Sequence, residues 1–518
     1  MTFLPIVERE LRVRARHPAT FRIRIGAAIL ASLIAGFFLL TSRGWSTPGK
    51  IGKTMFWVLS SLAFFWCLLE GPRNTSDALS EEKRAGTLGL LFLTDLKPYD
   101  VVFGKFVANS LNSLYGVLAI LPILSFPLLL GGVTPGEFWR MVLTLLAALL
   151  FSLGAGILIS AASRDERRAW FATVGVIGFL VVIPPLFRWL PGSTQLLAWC
   201  SPAVAAISLG DAAFSARPQP YWTSISGTML VTFGFFIAAC LVLPNSWHDI
   251  PVQRANREVG ARNRLRREVA RRRSMHQNPV VWLLARDRQN SWPVWLVVSV
   301  IVPALIASIL MKGASFLAIP FIIGAVVVHL LLAVFVAAQA CFMIADTRSS
   351  GALDLLLTTP INSEQIIAGY LEALRRQFMG PLCTLAFLEY LVVLNFGGFN
   401  ASGDIDLLLI FLLLLALGIF AMDLLAVAWF GVWAGLTTKR PAHAVMKTIA
   451  YVLILPMLFA WCLWPVMAIV KDAIFINYAR NQLRLHFRSI VTEGIKSAAL
   501  KSQRPLSWPP KLPNVLEK

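Results

Sequence analysis

SEEKRAGTLGLLFLTDLKP at residues 80–98 and ADTRSSGALDLLLTTPINS at residues 345–363 are two versions of one pattern. Each stretch begins with charged residues and continues with Gly-x-Leu-x-Leu-Leu. A segment that starts with threonine then interrupts the apolar pattern. When Gly86 is set on Gly351, five further identities fall in the same register. They are Leu88/Leu353, Leu90/Leu355, Leu91/Leu356, Thr94/Thr359 and Gly104/Gly369. A shared register of this length predicts a duplicated unit.

The composition around these stretches is that of a membrane protein. Of 518 residues, 57% are hydrophobic and only 14% are charged, whereas soluble chains carry about 25% charged residues. We therefore expect an all-α polytopic membrane protein, with the lipid bilayer as its surroundings. The net charge of +20 does not indicate a nucleic-acid partner, because the basic residues lie between the apolar spans.

Apolar stretches long enough to cross a bilayer fall into two sets, which predict two tandem units of about six transmembrane helices each and 11–12 in total. The first set is 25–41, 54–70, 107–130, 139–162, 169–189 and 222–243; the second is 292–310, 317–344, 378–397, 406–434 and 446–470. Residues 450–478 could hide a short sixth crossing or a re-entrant pair. The predicted domains are a first unit (1–244), a basic linker (245–291), a second unit (292–478) and a basic tail (479–518).

The distribution of arginine and lysine predicts the orientation. The N-terminal segment, the 71–106 loop and the linker are basic, while the loops near 131–138 and 398–405 carry almost no basic residue. The loop at 42–53 is an exception to this pattern. Because cytoplasmic loops carry the excess of positive charge, we expect the N-terminus and both repeated loops in the cytoplasm.

No catalytic motif survives inspection, and we expect neither enzymatic activity nor a cofactor. GWSTPGKIGKT (44–54) is close to the pattern of a phosphate-binding loop. In one alignment Ile51 replaces the required Ser or Thr, and in the other Thr47 replaces the first glycine. The motif also requires a preceding strand and a following helix N-terminus. No His, Cys or carboxylate cluster has the spacing of a metal site, and the six cysteines are expected to be reduced and packed as small hydrophobes.

Three ionisable residues lie within predicted spans: His329, Glu389 and Asp423. Charged groups in the bilayer are costly and often functional. They could bind a coupling ion, line a substrate path, or be hydrogen-bonded between helices. The sequence leaves these alternatives open.

The first repeated stretch is predicted to form a short amphipathic helix beneath the membrane. Ser80 can cap it, and Glu81 and Glu82 in the first turn suit the helix dipole. Gly86 breaks the stretch, and Pro98 opens the next helix. Its apolar stripe is formed by Leu88, Leu90, Leu91 and Leu93. Such a helix can dock to the bilayer interface or to a partner protein.

This stretch resembles the loop between spans two and three in the membrane subunits of ATP-binding-cassette exporters, the type-2 permease family. The family pattern is matched by Ser80-Glu81-Glu82, Gly86-Thr87-Leu88, Leu90-Leu91, Thr94 and Gly104-Lys105. PIVERELRVRAR (5–16) likewise resembles the family's elbow helix, and NPVVWLLARDR (278–288) is similar to a second copy of it. The family unit has six spans and acts as a dimer, so the resemblance implies two permease units fused in one chain.

The second copy departs from the family pattern. Thr87 corresponds to Ala352, Lys105 corresponds to Tyr370, and the pair of glutamates is lost. In the family this loop forms the coupling helix against the ATPase subunit. The resemblance therefore implies a coupling site made of Glu81, Glu82, Gly86, Thr87, Leu88, Leu91, Gly351 and Leu353, in which the second loop engages an ATPase less well than the first.

The resemblance implies the permease subunit of an ATP-driven exporter in the bacterial inner membrane, energised by a separate ATPase subunit, with room for accessory subunits. Two other functions remain as alternatives. An ion-coupled secondary transporter would use Glu389, Asp423 or His329, and parallel repeats are compatible with it. A non-transporting scaffold would use the basic cytoplasmic segments. The sequence does not indicate the cargo.

Overall fold

The computed structural model describes residues 47–93, 97–187, 199–246, 279–285, 318–396, 407–454 and 464–502, together with a few isolated positions. All regular structure in these ranges is helical, and they contain no strand. The predicted all-α class is therefore confirmed.

The first half of the chain begins, within the described residues, with a helix opened by Pro48. Pro48, Pro98 and Pro135 each stand at the start of a long helix, where the missing N–H has no helical partner to lose. In chain order the helices are α1 (Pro48–Asn74), α2 (Ser80–Arg84), α3 (Thr87–Leu93), α4 (Pro98–Leu124), α5 (Phe126–Leu130), α6 (Pro135–Ala162), α7 (Glu166–Phe187), α8 (Pro202–Ser208), α9 (Asp211–Ala216) and α10 (Gln219–Ser246).

The second half follows a similar order of long and short helices. Its helices are α11 (Pro279–Ala285), α12 (Ala318–Ser349), α13 (Ala352–Leu357), α14 (Ser363–Phe396), α15 (Leu407–Thr437), α16 (Pro441–Thr448), a π-helical turn (Ile449–Ile454) and α17 (Trp464–Ser502). Residues 48–54, which carry most of the rejected phosphate-binding motif, form the first two turns of α1.

Six helices of the described residues are long and apolar enough to cross a membrane. They are Pro48–Asn74, Pro98–Leu130, Pro135–Ala162, Gln219–Ser246, Ala325–Ser349 and Ile410–Thr437. The predicted spans 169–189 and 378–397 coincide with parts of α7 and α14, which are not among the six. The predicted spans 25–41 and 292–310, and residues 455–463 of the span 446–470, lie almost wholly outside the described residues.

Each half is organised around one central helix. In the first half α6 packs against α1, α4, α7 and α10. In the second half α15 packs against α12, α14, α16 and α17. The order of these partners along the chain is the same, so α1 corresponds to α12, α4 to α14, α7 to α16, and α10 to α17.

The central helix approaches its first partner closely in both halves. A Cβ atom on Gly156 of α6 would lie 2.1 Å from Thr75 Oγ1, and one on Gly431 of α15 would lie 2.8 Å from the Cβ of Ala340. Small residues such as Gly156 allow this close helix packing. Gly418, earlier on α15, has no atom of the described residues within 4 Å of a Cβ placed on it.

The two halves meet through corresponding surfaces. The helix α7 packs on α12, and α1 packs on α16. At the first contact the rings of Phe171 and Phe335 are stacked with centroids 5.5 Å apart, and Trp170 lies 5.9 Å from Phe342. These four buried rings form the apolar centre of the interface.

The last helix is continuous across residue 478, where the sequence predicts the end of the second unit. Beyond that position α17 buries Leu483, Phe487 and Val491, which are spaced at i, i+4 and i+8 along one face. They join the core that contains Leu353 of α13. Most of the predicted linker (245–291) and the first elbow segment (5–16) lie outside the described residues. Residues 279–285 of the second elbow segment (278–288) form α11, which packs on α14.

Candidate functional site

The first repeated loop consists of two short helices at an angle, α2 and α3, joined at Gly86. Gly86 has φ +69°, a left-handed conformation that only glycine adopts at little cost. A Cβ on Gly86 would meet no atom of the described residues within 4 Å, so the left-handed backbone is the reason for glycine at this position. The predicted break at Gly86 is confirmed, and so is the start of α4 at Pro98.

The helix α2 is fixed to the end of α6 by two serines. The backbone N–H groups of Leu79 and Ser80 both donate to Ser160 Oγ, at 2.9 and 3.0 Å. Ser80 Oγ donates to the carbonyl oxygen of Ser163 at 3.1 Å. The prediction that Ser80 caps α2 is wrong, because Leu79 holds the cap position and the Ser80 side chain is buried against α6.

Lys83 ties the same helix to two spans. Its ammonium group donates to the carbonyl oxygen of Ala161, and to Ser246 Oγ at 2.8 Å. These contacts place a positive charge at the C-termini of α6 and α10, where the helix dipole is negative. Burial, and then the nearby Arg164, lower the pKa of Lys83 to about 8.

The two predicted glutamates have different surroundings. Glu82 forms an ion pair with Lys105 of α4 at 2.8 Å and accepts a hydrogen bond from Thr87 Oγ1. Glu81 is exposed. Glu82 therefore holds α2 and α3 to α4, and its place in the predicted coupling site stays a prediction. Glu81 remains as the acidic group of α2 that faces solvent.

The leucines of the first loop also divide into two kinds. Leu88 is buried in the core of the first half, which also contains side chains of α1 and α4. Leu93 is 84% exposed. The side chain of Leu91 lies outside the described residues. One leucine thus anchors the loop, and another presents apolar surface at its far end.

The second repeated loop is built on the same plan with different side chains. Gly351 has φ +71° and separates α12 from α13, and a Cβ on it would meet no atom of the described part of the chain within 4 Å. Leu353 is fully buried, as Leu88 is, while Leu355 is 70% exposed. In the common register Thr347 stands at the place of Glu82, and its hydroxyl is hydrogen-bonded to that of Tyr370.

Arg348 takes the place of Lys83. Its guanidinium donates to the carbonyl oxygen of Leu436, and to that of Thr438 at 2.8 Å, at the C-terminus of α15. A basic side chain therefore joins each loop to the end of the central helix. Displacing either loop would strain these contacts.

A cluster of charged side chains connects the two loops. Arg84 of α2 donates to Asp77 at 2.7 Å and to the carbonyl oxygen of Arg164 at 3.0 Å, just before α7. At the second residue of α7, Arg167 pairs with Asp346 of α12 at 3.4 Å. The start of α7 therefore lies between the first loop and the helix that leads to the second.

The first residue of α7 is in an unusual environment. Burial, and then the charge of Asp77, raise the pKa of Glu166 to about 7. The guanidinium groups of Arg84 and Arg440 oppose this shift only in part. Glu166 therefore changes charge near neutral pH at the boundary between the two halves.

The three predicted intramembrane residues each lie near another polar group. His329 Nδ1 is 3.4 Å from Glu389 Oε1, and Asp423 forms an ion pair with Lys471 of α17. The sequence alone did not pair these residues, because His329 and Glu389 are on different helices, as are Asp423 and Lys471. Within the described residues no three His, Cys, Asp or Glu side chains are placed to hold a metal ion.

Sequence reasoning missed a buried carboxylate near the first loop. Glu70 of α1 is fully buried, pairs with Arg73 at 2.8 Å and accepts a hydrogen bond from Ser113 at 2.7 Å. The i, i+3 spacing of Glu70 and Arg73 is the signal that could have revealed it. This network fixes the last turn of α1, from which the first loop departs.

Together these features define a polytopic membrane protein whose two repeated loops are tied to the ends of its spans. Residues 60–244 match the model of a family described as ABC-2 family transporter protein. The matched region runs from within α1, through the first loop, to near the end of α10. This similarity supports a role as a transport permease. No curated protein matches the chain.

Proposed function

We propose that this protein is the permease of an ATP-driven exporter and that two permease-like units are fused in its chain. The first unit would comprise residues 1–244 and the second residues 292–478, with the N-terminus and both loops in the cytoplasm of a bacterial cell and the spans in its inner membrane. The match of residues 60–244 to an ABC-2 family is the observation that carries the proposal.

The fusion is supported by the correspondence of helix packing. Each central helix has the same set of partners in the same order, and each loop turns at a glycine with φ near +70°. The contacts between halves also correspond, since α7 on α12 is the counterpart of α16 on α1. An arrangement of this kind would place a cargo path between two similar halves.

Energy would come from a separate ATPase subunit that docks on the first loop. Glu81 and Leu93 offer exposed acidic and apolar groups, while Ser80, Lys83 and Leu88 hold the loop to the spans. A partner that moves α2 would therefore pull directly on the ends of α6 and α10.

The ion-coupled alternative rests on Glu389, Asp423 and His329. Each of these side chains has a protein partner, and polar groups paired in this way serve helix packing as readily as transport. The scaffold alternative would leave the anchoring of both loops to the central helices without a purpose. We therefore favour the ATP-driven permease.

Purification in mild detergent with identification of every partner tests the proposal. We expect a soluble ATPase to co-purify, and we expect ATP hydrolysis only when that subunit is present. Substituting Glu389→Gln should leave ATP-dependent transport measurable. Transport that persists without any ATPase, and that Glu389→Gln abolishes, would contradict the proposal and favour the ion-coupled alternative.

A further inference from the structure

Two carboxylates and one ammonium group meet near the middle of the second half. Asp423 lies halfway along α15, and Lys471 and Asp472 lie on the facing side of α17. Lys471 Nζ forms ion pairs with Asp423 Oδ1 and, at 3.0 Å, with Asp472 Oδ1. The carbonyl oxygen of Val452, in the π-helical turn, is 3.5 Å from the same ammonium group.

Asp472 is the most enclosed member of this triad. Its side chain is fully buried, and the ammonium group of Lys471 lies 3.0 Å from its Oδ1, but neither carboxylate oxygen accepts a hydrogen bond of good geometry among the described residues. Lys471 is shared with Asp423, whose negative charge also acts on Asp472. This buried carboxylate therefore has fewer donors than burial of a charge normally requires.

The charges of the triad do not balance. Two ionised carboxylates and one ammonium group carry a net charge of −1, and an unbalanced charge within the apolar part of a membrane protein is costly. On the helices packed against α15, Glu389 lies beside His329, and Lys447 lies over the ring of Trp433 at 4.6 Å. Among the described residues of these helices, His443 and Arg348 lie near the ends of α16 and α12, and Arg348 is bound to the end of α15.

The space that a metal ion would need between the two carboxylates is filled by Lys471 Nζ. A proton adds one positive charge without needing that volume. A proton also lets one carboxylic acid donate a hydrogen bond to the other carboxylate, which adds a donor to the one that Lys471 provides for both. A π-helical turn beside the triad is consistent with a specialised site, because such turns often occur at functional positions.

We propose that Asp423, Lys471 and Asp472 form a binding site for one proton, shared between the two carboxylates. With that proton in place the triad is neutral and joins α15, α17 and the π-helical turn. The first half has no counterpart among its described residues, since Ala148 stands on α6 at the level of Asp423 when Gly156 is set on Gly431. The site does not depend on the proposed function.

The proton can be detected directly in the full-length protein. We would label aspartate carboxyl groups with ¹³C, reconstitute the protein in lipid at neutral pH, and record infrared difference spectra between the wild type and the variants Asp472→Asn and Asp423→Asn. We expect a protonated carboxyl band in the wild type that is lost in each variant. Its absence from the wild type, or its persistence in both variants, would overturn the proposal.

A stability series supplies the second measurement. Each single variant keeps one carboxylate for Lys471, so each should melt close to the wild type. The double variant Asp423→Asn/Asp472→Asn leaves Lys471 unpaired and should melt well below either single variant. Sodium and potassium in the buffer would also be replaced by choline. If this replacement lowers the melting temperature of the wild type but not that of the variants, the site holds a metal cation and the proposal is wrong.

Discussion

The two repeated loops have the same backbone turn but different attachments. Gly86 and Gly351 have nearly equal φ values, and Leu88 and Leu353 are both buried. The first loop is held by serine hydroxyls, an ion pair and Lys83, whereas the second is held by a hydroxyl pair and Arg348. The turn is thus a shared requirement, and the charges that accompany it are specific to each half.

The largest difference in stability is expected where the central helices approach their partners. Gly156→Ala would place Cβ 2.1 Å from Thr75 Oγ1, and Thr75 cannot rotate away without losing its hydrogen bonds to Gly71 and Leu153. We expect a loss of about 3 kcal/mol or more. Gly431→Ala should cost less, because its nearest contact is 2.8 Å.

Thermal unfolding in detergent would measure both losses. Gly418→Ala is the matched control, since a Cβ there meets nothing within 4 Å and alanine favours the helix by about 1 kcal/mol. A larger loss of stability for Gly431→Ala than for Gly156→Ala would contradict the difference described between the two helix contacts.

A pH-dependent difference between the halves is expected at Glu166, whose counterpart at the start of α16 is Pro441. Because the pKa of Glu166 is raised to about 7 in the folded protein, protonation favours the folded state. Stability should therefore fall as the pH rises from about 5 to about 8, by up to about 3 kcal/mol. The melting temperature of Glu166→Gln should vary less over this range, and an unchanged pH dependence would contradict the assignment.

The serine anchor of the first loop should contribute about as much as a pair of buried hydrogen bonds. Ser160→Ala leaves the N–H groups of Leu79 and Ser80 without their acceptor, at a cost of about 2 kcal/mol. Thr437→Ala, near the end of the other central helix, removes an exposed hydroxyl that bonds only to carbonyl oxygens of the preceding turn, and it should cost little. Hydrogen exchange of the α2 amides should increase in Ser160→Ala, and unchanged protection would mean that other contacts hold the loop.

The smallest effect is expected from the side chains that differ between the loops. A double-mutant cycle on Glu82→Gln and Lys105→Met should give a coupling energy of up to about 1 kcal/mol, because both side chains are partly exposed and solvent screens the pair. The cycle on Thr347→Val and Tyr370→Phe should give a coupling that salt does not change. Equal salt dependence of the two cycles would contradict the difference described.

The conformational preferences of single residues predicted the turns, but they did not predict the contacts between residues distant in the sequence. Positive φ at Gly86 and the start of α4 at Pro98 follow from the residues themselves. The pairing of Glu82 with Lys105, and of Ser80 with Ser160, depends on how distant helices pack. Ser80 is a good cap by type, but burying its hydroxyl against α6 satisfies two groups there instead.

The membrane part shows the same limit. Apolar length predicted where α1, α6 and α15 cross, because each must be long and apolar. It did not reveal Glu70, which is balanced by Arg73 within its own helix, or the pairing of Lys471 with Asp423. A polar group within a span is tolerated because of the group with which it pairs. When that partner is on another helix, the sequence of one segment cannot identify it.

The most direct test of the account compares Gly86→Val with Gly351→Val in the presence of the ATPase subunit. Both glycines have the same φ and open space for a side chain, so the strain on the backbone, about 1–2 kcal/mol, should be equal. Stimulation of ATP hydrolysis by the permease would be measured for each. We predict that Gly86→Val loses most of the stimulation and Gly351→Val loses little. Equal losses, or no loss in Gly86→Val, would contradict the claim that the ATPase docks on the first loop.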